Sequence, residues 1–246
     1  MNPYLSSASL KAMAKGQLLG KYGTAVGAYL LHFLCLYPIT ISVSLLINPI
    51  SIKNVIISCM LASLVEVFAG FFIAGEVCIY LKIACNQPVF VVNLFTCFRE
   101  NPKKVLCIQA VIAGISLISN LPTSIVGVFL DVTKPDASVF LAYAVLFVLG
   151  LVVTIVTGLF LSQVYFLMLD FPEYTPQQLL QLSIRLMRGN IGRLFYIQLS
   201  FIPLYLLGFL SCGIGLLWLL PYVQATKTNF YLDLIKKSSV STSNMH

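Results

Sequence analysis

Charge is scarce in this chain: 9% of its 246 residues are Asp, Glu, Lys or Arg, against 59% that are hydrophobic. So small a polar complement excludes a water-soluble globular domain, which has too little interior to hide that much apolar side chain. Histidine is rarer still. Of the two, His246 ends a Ser-rich tail and His32 stands alone in an apolar run, so their spacing yields neither a ligand set nor a catalytic dyad. HExxH, GxSxG and Walker-type sequences are missing, which leaves the zinc hydrolases, the α/β-hydrolases and the P-loop NTPases without support. The seven cysteines form no CxxC pair and fall mostly in apolar runs, where they read as small core residues rather than disulfides or metal ligands. No basic run with interleaved aromatics is present, so the net charge of +7 does not signal nucleic-acid binding. The expectation is a non-enzymatic protein with no cofactor, no metal and no nucleic-acid partner.

What the chain has instead is length of apolar sequence, with a mean hydropathy of +0.95. A backbone in hydrocarbon must satisfy its own N–H and C=O groups, so these runs can only be helices, and the fold class is an all-α polytopic membrane protein. The apolar stretches predict spans at 24–47, 55–81, 105–130, 139–169, 194–212 and 214–231 within one membrane domain of residues 1–237, followed by a disordered tail at 238–246. The sixth span is the most polar, turning after Val223 into Gln224, Ala225, Thr226, Lys227, Thr228 and Asn229. That half cannot face lipid.

Positive charge supports six spans. With the N-terminus inside, thirteen of the fifteen lysines and arginines fall on the cytoplasmic side and leave Lys53 and Lys134 outside, as the positive-inside bias requires. Both termini are then cytoplasmic in a multi-pass membrane protein.

Ahead of the fifth span, Thr175-Pro176-Gln177-Gln178 has the form of a capping box with proline at the first helical position. Leu180, Ile184, Met187 and Ile191 then share one face, and Gln181, Arg185 and Arg188 another. This predicts an amphipathic helix lying on the membrane, with Arg193 where the chain turns down into the bilayer. Ser6 or Ser7 starts a similar segment in which Leu10, Met13 and Ala14 oppose Lys11 and Lys15, and Pro88 to Phe98 precedes the third span in the same way. The chain therefore reads as three units of about seventy to eighty residues, each an interfacial helix and a transmembrane hairpin. Arg185, Arg188 and Arg193 are candidate contacts to anionic lipid headgroups or to a membrane protein partner.

The segment "LDFPEYTPQQLLQLSIRLMRGNIGRLF" with "LSFIPLYLL", "GIGLLWLLPY" and "NFY" resembles a family of uncharacterised bacterial integral membrane proteins classed as a domain of unknown function. The resemblance rests on Asp170, Pro172, Ser183, Met187, Arg188, Gly189, Leu199, Ser200, Phe201, Gly213, Ile214, Gly215, Trp218, Pro221, Tyr222, Phe230 and Tyr231, and in the middle on Phe95, Phe98 and Arg99. It departs at Pro203, where a glycine is usual, and at Leu121-Pro122-Thr123. It implies a six-helix protein of the bacterial cytoplasmic membrane, distantly similar to the membrane region of some glycerophosphodiester phosphodiesterases, and no known activity.

Ionisable groups inside the spans are the candidate site, because a charge at that depth costs roughly 2.5 kcal/mol or more on insertion scales and is seldom kept without a partner. Glu66 and Glu76 lie in the second span and Lys227 in the sixth. Glu76 is expected to pair with Lys227, and Glu66 to be neutral or to face polar groups such as Asn120, Gln163 or Gln198. Two roles follow. Such groups can be glue between helices in an accessory subunit, or they can line a polar cavity in a small transporter or lipid-handling protein.

Overall fold

The computed structural model describes residues 4–46, 51–130 and 136–243. Lys134, His246 and the last residue of the first expected span lie outside them. Among the described residues there is no strand. Eleven α-helices follow one another: α1 (Ser7–Leu18), α2 (Tyr22–Leu46), α3 (Ile52–Ala84), α4 (Thr96–Glu100), α5 (Pro102–Gly127), α6 (Ala137–Phe160), α7 (Val164–Asp170), α8 (Pro176–Met187), α9 (Ile191–Leu199), α10 (Ile202–Leu210) and α11 (Leu216–Ser243), with a 3-10 turn at Val91–Phe95.

Five stretches among the described residues are long and apolar enough to cross a membrane: α2, α3, α5, α6 with α7, and α9 with α10. The protein is an all-α polytopic membrane protein. α11 carries the sixth expected span but falls outside that set because its later half is polar, and protein covers part of that half: Thr226, Thr228 and Asn229 are buried. The Asn229 amide donates to Gln17 Oε1 (2.9 Å) on α1 and to the Leu10 carbonyl (3.4 Å), so protein rather than lipid satisfies it. Residues 238–243 continue α11 as helix, and 244–246 lie outside the described residues.

The helix starts are chemical. Ser6 accepts from the Ser9 N–H at α1, and Thr175 and Gln178 form the reciprocal capping box at α8. Asp136 accepts from the Ser138 N–H and hydroxyl at α6, and those two bonds to its charged form hold its carboxyl below the usual range. α5 and α11 run on through Pro122 and Pro221. The fifth stretch does break, at Ser200-Phe201, with Pro203 in the first turn of α10. The break between α6 and α7 at Leu161-Ser162-Gln163 occurs with no proline or glycine in it.

The order interfacial element, first long helix, second long helix recurs three times. Each unit is closed by a basic residue at the head of its first helix that reaches the end of its second: Lys21 Nζ donates to Asn86 Oδ1 (3.0 Å), Lys104 Nζ to the Pro172 carbonyl, and Arg193 to Asp233. The interfacial elements then lie on the preceding unit. The 3-10 turn packs on α3, α8 on α7, and α1 on α11, so the last unit receives the first and the ring closes. Corresponding sequence marks the second helices, with Leu81-Lys82-Ile83, Leu169-Asp170-Phe171 and Leu232-Asp233-Leu234 at their ends.

The buried faces of the interfacial helices match as well. Leu10, Ala14 and Leu18 on α1 and Leu179, Ser183 and Met187 on α8 are all fully buried, at i, i+4 and i+8 with a small residue in the middle. The expected grouping of α8 is thus rotated: Leu180 and Ile184 flank the buried stripe rather than form it, and on α1 Met13 is on the exposed side.

Candidate functional site

Polar groups inside the helix bundle collect in two places on α3. The clasp between Lys21 and Asn86 sets the register of α2 against α3. His32 lies 11 residues beyond Lys21 and Glu76 10 residues before Asn86, so both reach about 15 Å from the clasp, at about 1.5 Å per residue. That places both inside the bundle, at the level where the Leu94 backbone of the 3-10 turn meets Gly75. There His32 Nδ1 and Glu76 Oε1 meet at 2.6 Å, and the imidazole stacks on Phe72 with ring centroids 5.3 Å apart. Glu76 is 5% exposed. A carboxylate so buried requires a partner, and His32 supplies it.

This corrects the expected pairing of Glu76 with Lys227. Among the described residues these two form no ion pair within 4 Å, although Lys227 stands within electrostatic reach of the carboxylate. The end motifs of the units explain their proximity: Glu76, Val164 and Lys227 each precede the final Lys82, Asp170 or Asp233 by six residues. The first and third units thus carry residues of opposite charge at matching positions, and the second unit carries valine there. Tyr29 and Tyr80 are also close enough to feel the Glu76 charge, and Tyr205 neighbours Tyr29. Beside this cluster Tyr29, His32, Phe33, Leu36, Tyr37 and Thr40 line a groove of about 170 Å³ on α2.

The second collection lies where α3, α5 and α7 meet. The Tyr165 hydroxyl donates to Gln109 Oε1 at 2.5 Å, both side chains being buried. Glu66 stands within electrostatic reach of Tyr165 and has the Ser116 hydroxyl as its hydrogen-bonding neighbour. Asn120, Gln163 and Gln198 are not its partners. Asn120 donates to the Ser116 carbonyl one turn below, and the Gln163 amide goes to Ser162 while its Oε1 is buried without a partner.

The three arginines separate. Arg185 and Arg188 are exposed on α8. Arg193 turns into the protein: besides Asp233 it donates to the Leu5 carbonyl (2.7 Å), and its guanidinium lies over the rings of Tyr4 and Phe230, 4.6 and 5.0 Å from their centroids. It ties the third unit to the start of the chain.

No group of three His, Cys, Asp or Glu able to hold a metal occurs among the described residues. Cys78 and Cys97 are buried, and burial pushes the Cys97 thiol up to about 12, far from a reactive thiolate. Cys85, Cys107 and Cys212 are exposed rather than core. Phe95 and Phe98, singled out above as marks of resemblance, are packing groups: Phe98 stacks on Phe71 at 4.4 Å and meets Phe72 edge-on at 5.5 Å.

A family model described as "Protein of unknown function (DUF975)" matches residues 1–238, nearly the whole chain. The protein belongs to this family. All three units and both polar clusters fall inside the matched region. No curated protein matches the chain, and no solved structure does.

Proposed function

We propose that this protein is a non-enzymatic integral membrane component that binds a small polar solute or a lipid headgroup at the His32–Glu76 pair. The observation that carries this reading is the 2.6 Å contact of those two groups inside the helix bundle, within electrostatic reach of Lys227, with a groove along α2 reaching His32. Glue alone accounts poorly for it. Two helices that need only to adhere do so with small residues, hydroxyls and amides at less cost than with an acid, an imidazole and an amine. Intramembrane ionisable groups beside a cavity suit a ligand that is itself polar.

The alternative is an accessory subunit whose work is done by contact with another membrane protein. Native mass spectrometry of the protein extracted gently from its own membrane separates the two. A single defined lipid or small molecule, retained by the wild type and lost in both Glu76→Gln and His32→Ala, is the expected result. A second polypeptide in fixed ratio, with no such ligand, overturns the reading.

In this proposal both termini face the cytoplasm of a bacterial cell, and Arg185 and Arg188 on α8 contact anionic headgroups. The exposed cysteines give a direct check. A membrane-impermeant maleimide applied to intact cells is expected to label Cys212, in the turn between α10 and α11, and to spare Cys85, beyond the end of α3. The opposite pattern reverses the orientation.

A further inference from the structure

The segment joining the first unit to the second does not cross the membrane. It lies at the end of the bundle that carries the three clasps, and its two faces are unlike. The underside is fixed: Leu94 is fully buried, Cys97 is 2% exposed, and the Leu94 backbone passes so close to α3 that only glycine fits at position 75. The other face is open, with Phe90, Val92 and Phe95 exposed to 67%, 74% and 36%. Aromatic and branched side chains held rigidly outward at this level belong in the interfacial zone of a bilayer.

On that face Val92, Asn93, Phe95, Thr96, Arg99 and Glu100 surround a cavity of about 570 Å³. Its chemistry is mixed in a particular way. Arg99 and Glu100 are neighbours of opposite charge, both exposed, and neither is in an ion pair within 4 Å among the described residues. Asn93 uses its Oδ1 to accept the Phe90 N–H (2.9 Å), which leaves its amide NH2 as a donor beside Thr96. The cavity thus offers one cation with neutral donors, one anion, and an apolar flank.

We infer that this cavity is a binding site for a zwitterionic bilayer phospholipid with a primary ammonium headgroup, such as phosphatidylethanolamine. The phosphate meets Arg99, Asn93 and Thr96, the ammonium meets Glu100, and the glycerol end lies on Val92 and Phe95. Arginine suits phosphate because its planar fork donates two parallel bonds. A primary ammonium donates hydrogen bonds to a carboxylate, whereas a trimethylammonium has no N–H to give. A plain anionic lipid would satisfy Arg99 and meet Glu100 with repulsion. The site shares no lining residue with the groove at His32, and its test reads retention through Arg99 and Glu100, so it can hold or fail independently of the function proposed above.

The test is lipid retention, read by native mass spectrometry on protein reconstituted in nanodiscs of equal parts phosphatidylethanolamine, phosphatidylcholine and phosphatidylglycerol. The expected result is one retained phosphatidylethanolamine, favoured over phosphatidylcholine by about tenfold, the scale of one charge-assisted hydrogen bond. Arg99→Gln is expected to remove retention of both zwitterionic lipids. Glu100→Gln is expected to erase the preference between them, and Arg185→Gln, away from the cavity, to change neither. Equal retention of all three lipids, or preference for phosphatidylglycerol that Glu100→Gln leaves unaltered, overturns the inference.

Discussion

Glu66 and Glu76 stand ten residues apart on α3, which turns them about 80° from each other at about 100° per residue, and they live in different surroundings. Glu76 looks toward α2 and α11, where it meets an imidazole and lies within electrostatic reach of an amine. Glu66 looks toward α5 and α7, where it meets the Ser116 hydroxyl and the neighbourhood of a tyrosine already bonded to a glutamine. The first is an acid paired with an imidazole beside a groove, and the second is a hydrogen-bonded seam between helices. One helix therefore carries two acids of the same type with separate consequences, and the partners, not the acids, make the difference.

The backbone near the two acids differs in the same sense, and the largest expected effect lies there. A Cβ at Gly75 would stand 1.9 Å from the Leu94 carbonyl oxygen and 2.7 Å from its carbon, both backbone atoms. Gly75→Ala is expected to destabilise the fold by about 3 kcal/mol or more, at the upper end of what overpacking does, seen as loss of the monodisperse peak in detergent and an early thermal transition. Gly75 also sits next to Glu76, so this substitution breaks the Glu76 end of the comparison by moving the 3-10 turn off α3.

Next in size is the coupling between His32 and Glu76. A double-mutant cycle with His32→Ala and Glu76→Gln, followed by reversible unfolding in mixed micelles, is expected to give about 1 to 2 kcal/mol of interaction, above the typical intramembrane hydrogen bond of about 0.6 kcal/mol. A value near zero would make the 2.6 Å contact incidental and remove the distinction from Glu66. Gly70→Ala comes below this, at about 1 kcal/mol in the same assay. Its Cβ would meet Gln109 Cβ and Cγ at 2.7 Å and the Tyr165 hydroxyl at 3.1 Å, which are side-chain atoms that can shift.

The order of interfacial helix and hairpin was legible from capping residues and hydropathy because both are local: the Thr175 box, the lysines ahead of each span and the apolar runs speak for themselves. Pairing across the bundle was not. His32 and Glu76 are 44 residues apart, and their meeting depends on a register set by the Lys21–Asn86 clasp, which no periodicity within α2 or α3 reveals. The Arg193–Asp233 contact was hidden for a related reason, since an arginine at a membrane boundary has the same sequence context whether it meets a phosphate or Asp233. One signal was present: the repeated Leu-Lys-Ile, Leu-Asp-Phe and Leu-Asp-Leu ends place Glu76 and Lys227 at matching positions.

The smallest expected effect belongs to Glu66. Replacing its carboxyl by an amide keeps a group of nearly the same shape that can still bond with Ser116, so Glu66→Gln is expected to change stability by less than about 0.6 kcal/mol, the mean for intramembrane hydrogen bonds, and to leave lipid or solute retention unaltered. Ser116→Ala is the complementary case and takes away the neighbour instead, leaving the acid to find another partner among the groups around Tyr165. If Glu66→Gln instead abolished ligand retention while the protein stayed folded, the two acids of α3 would have to act on one ligand. The 80° and about 15 Å between them would then mark two levels along one wall of a shared path rather than two separate seams.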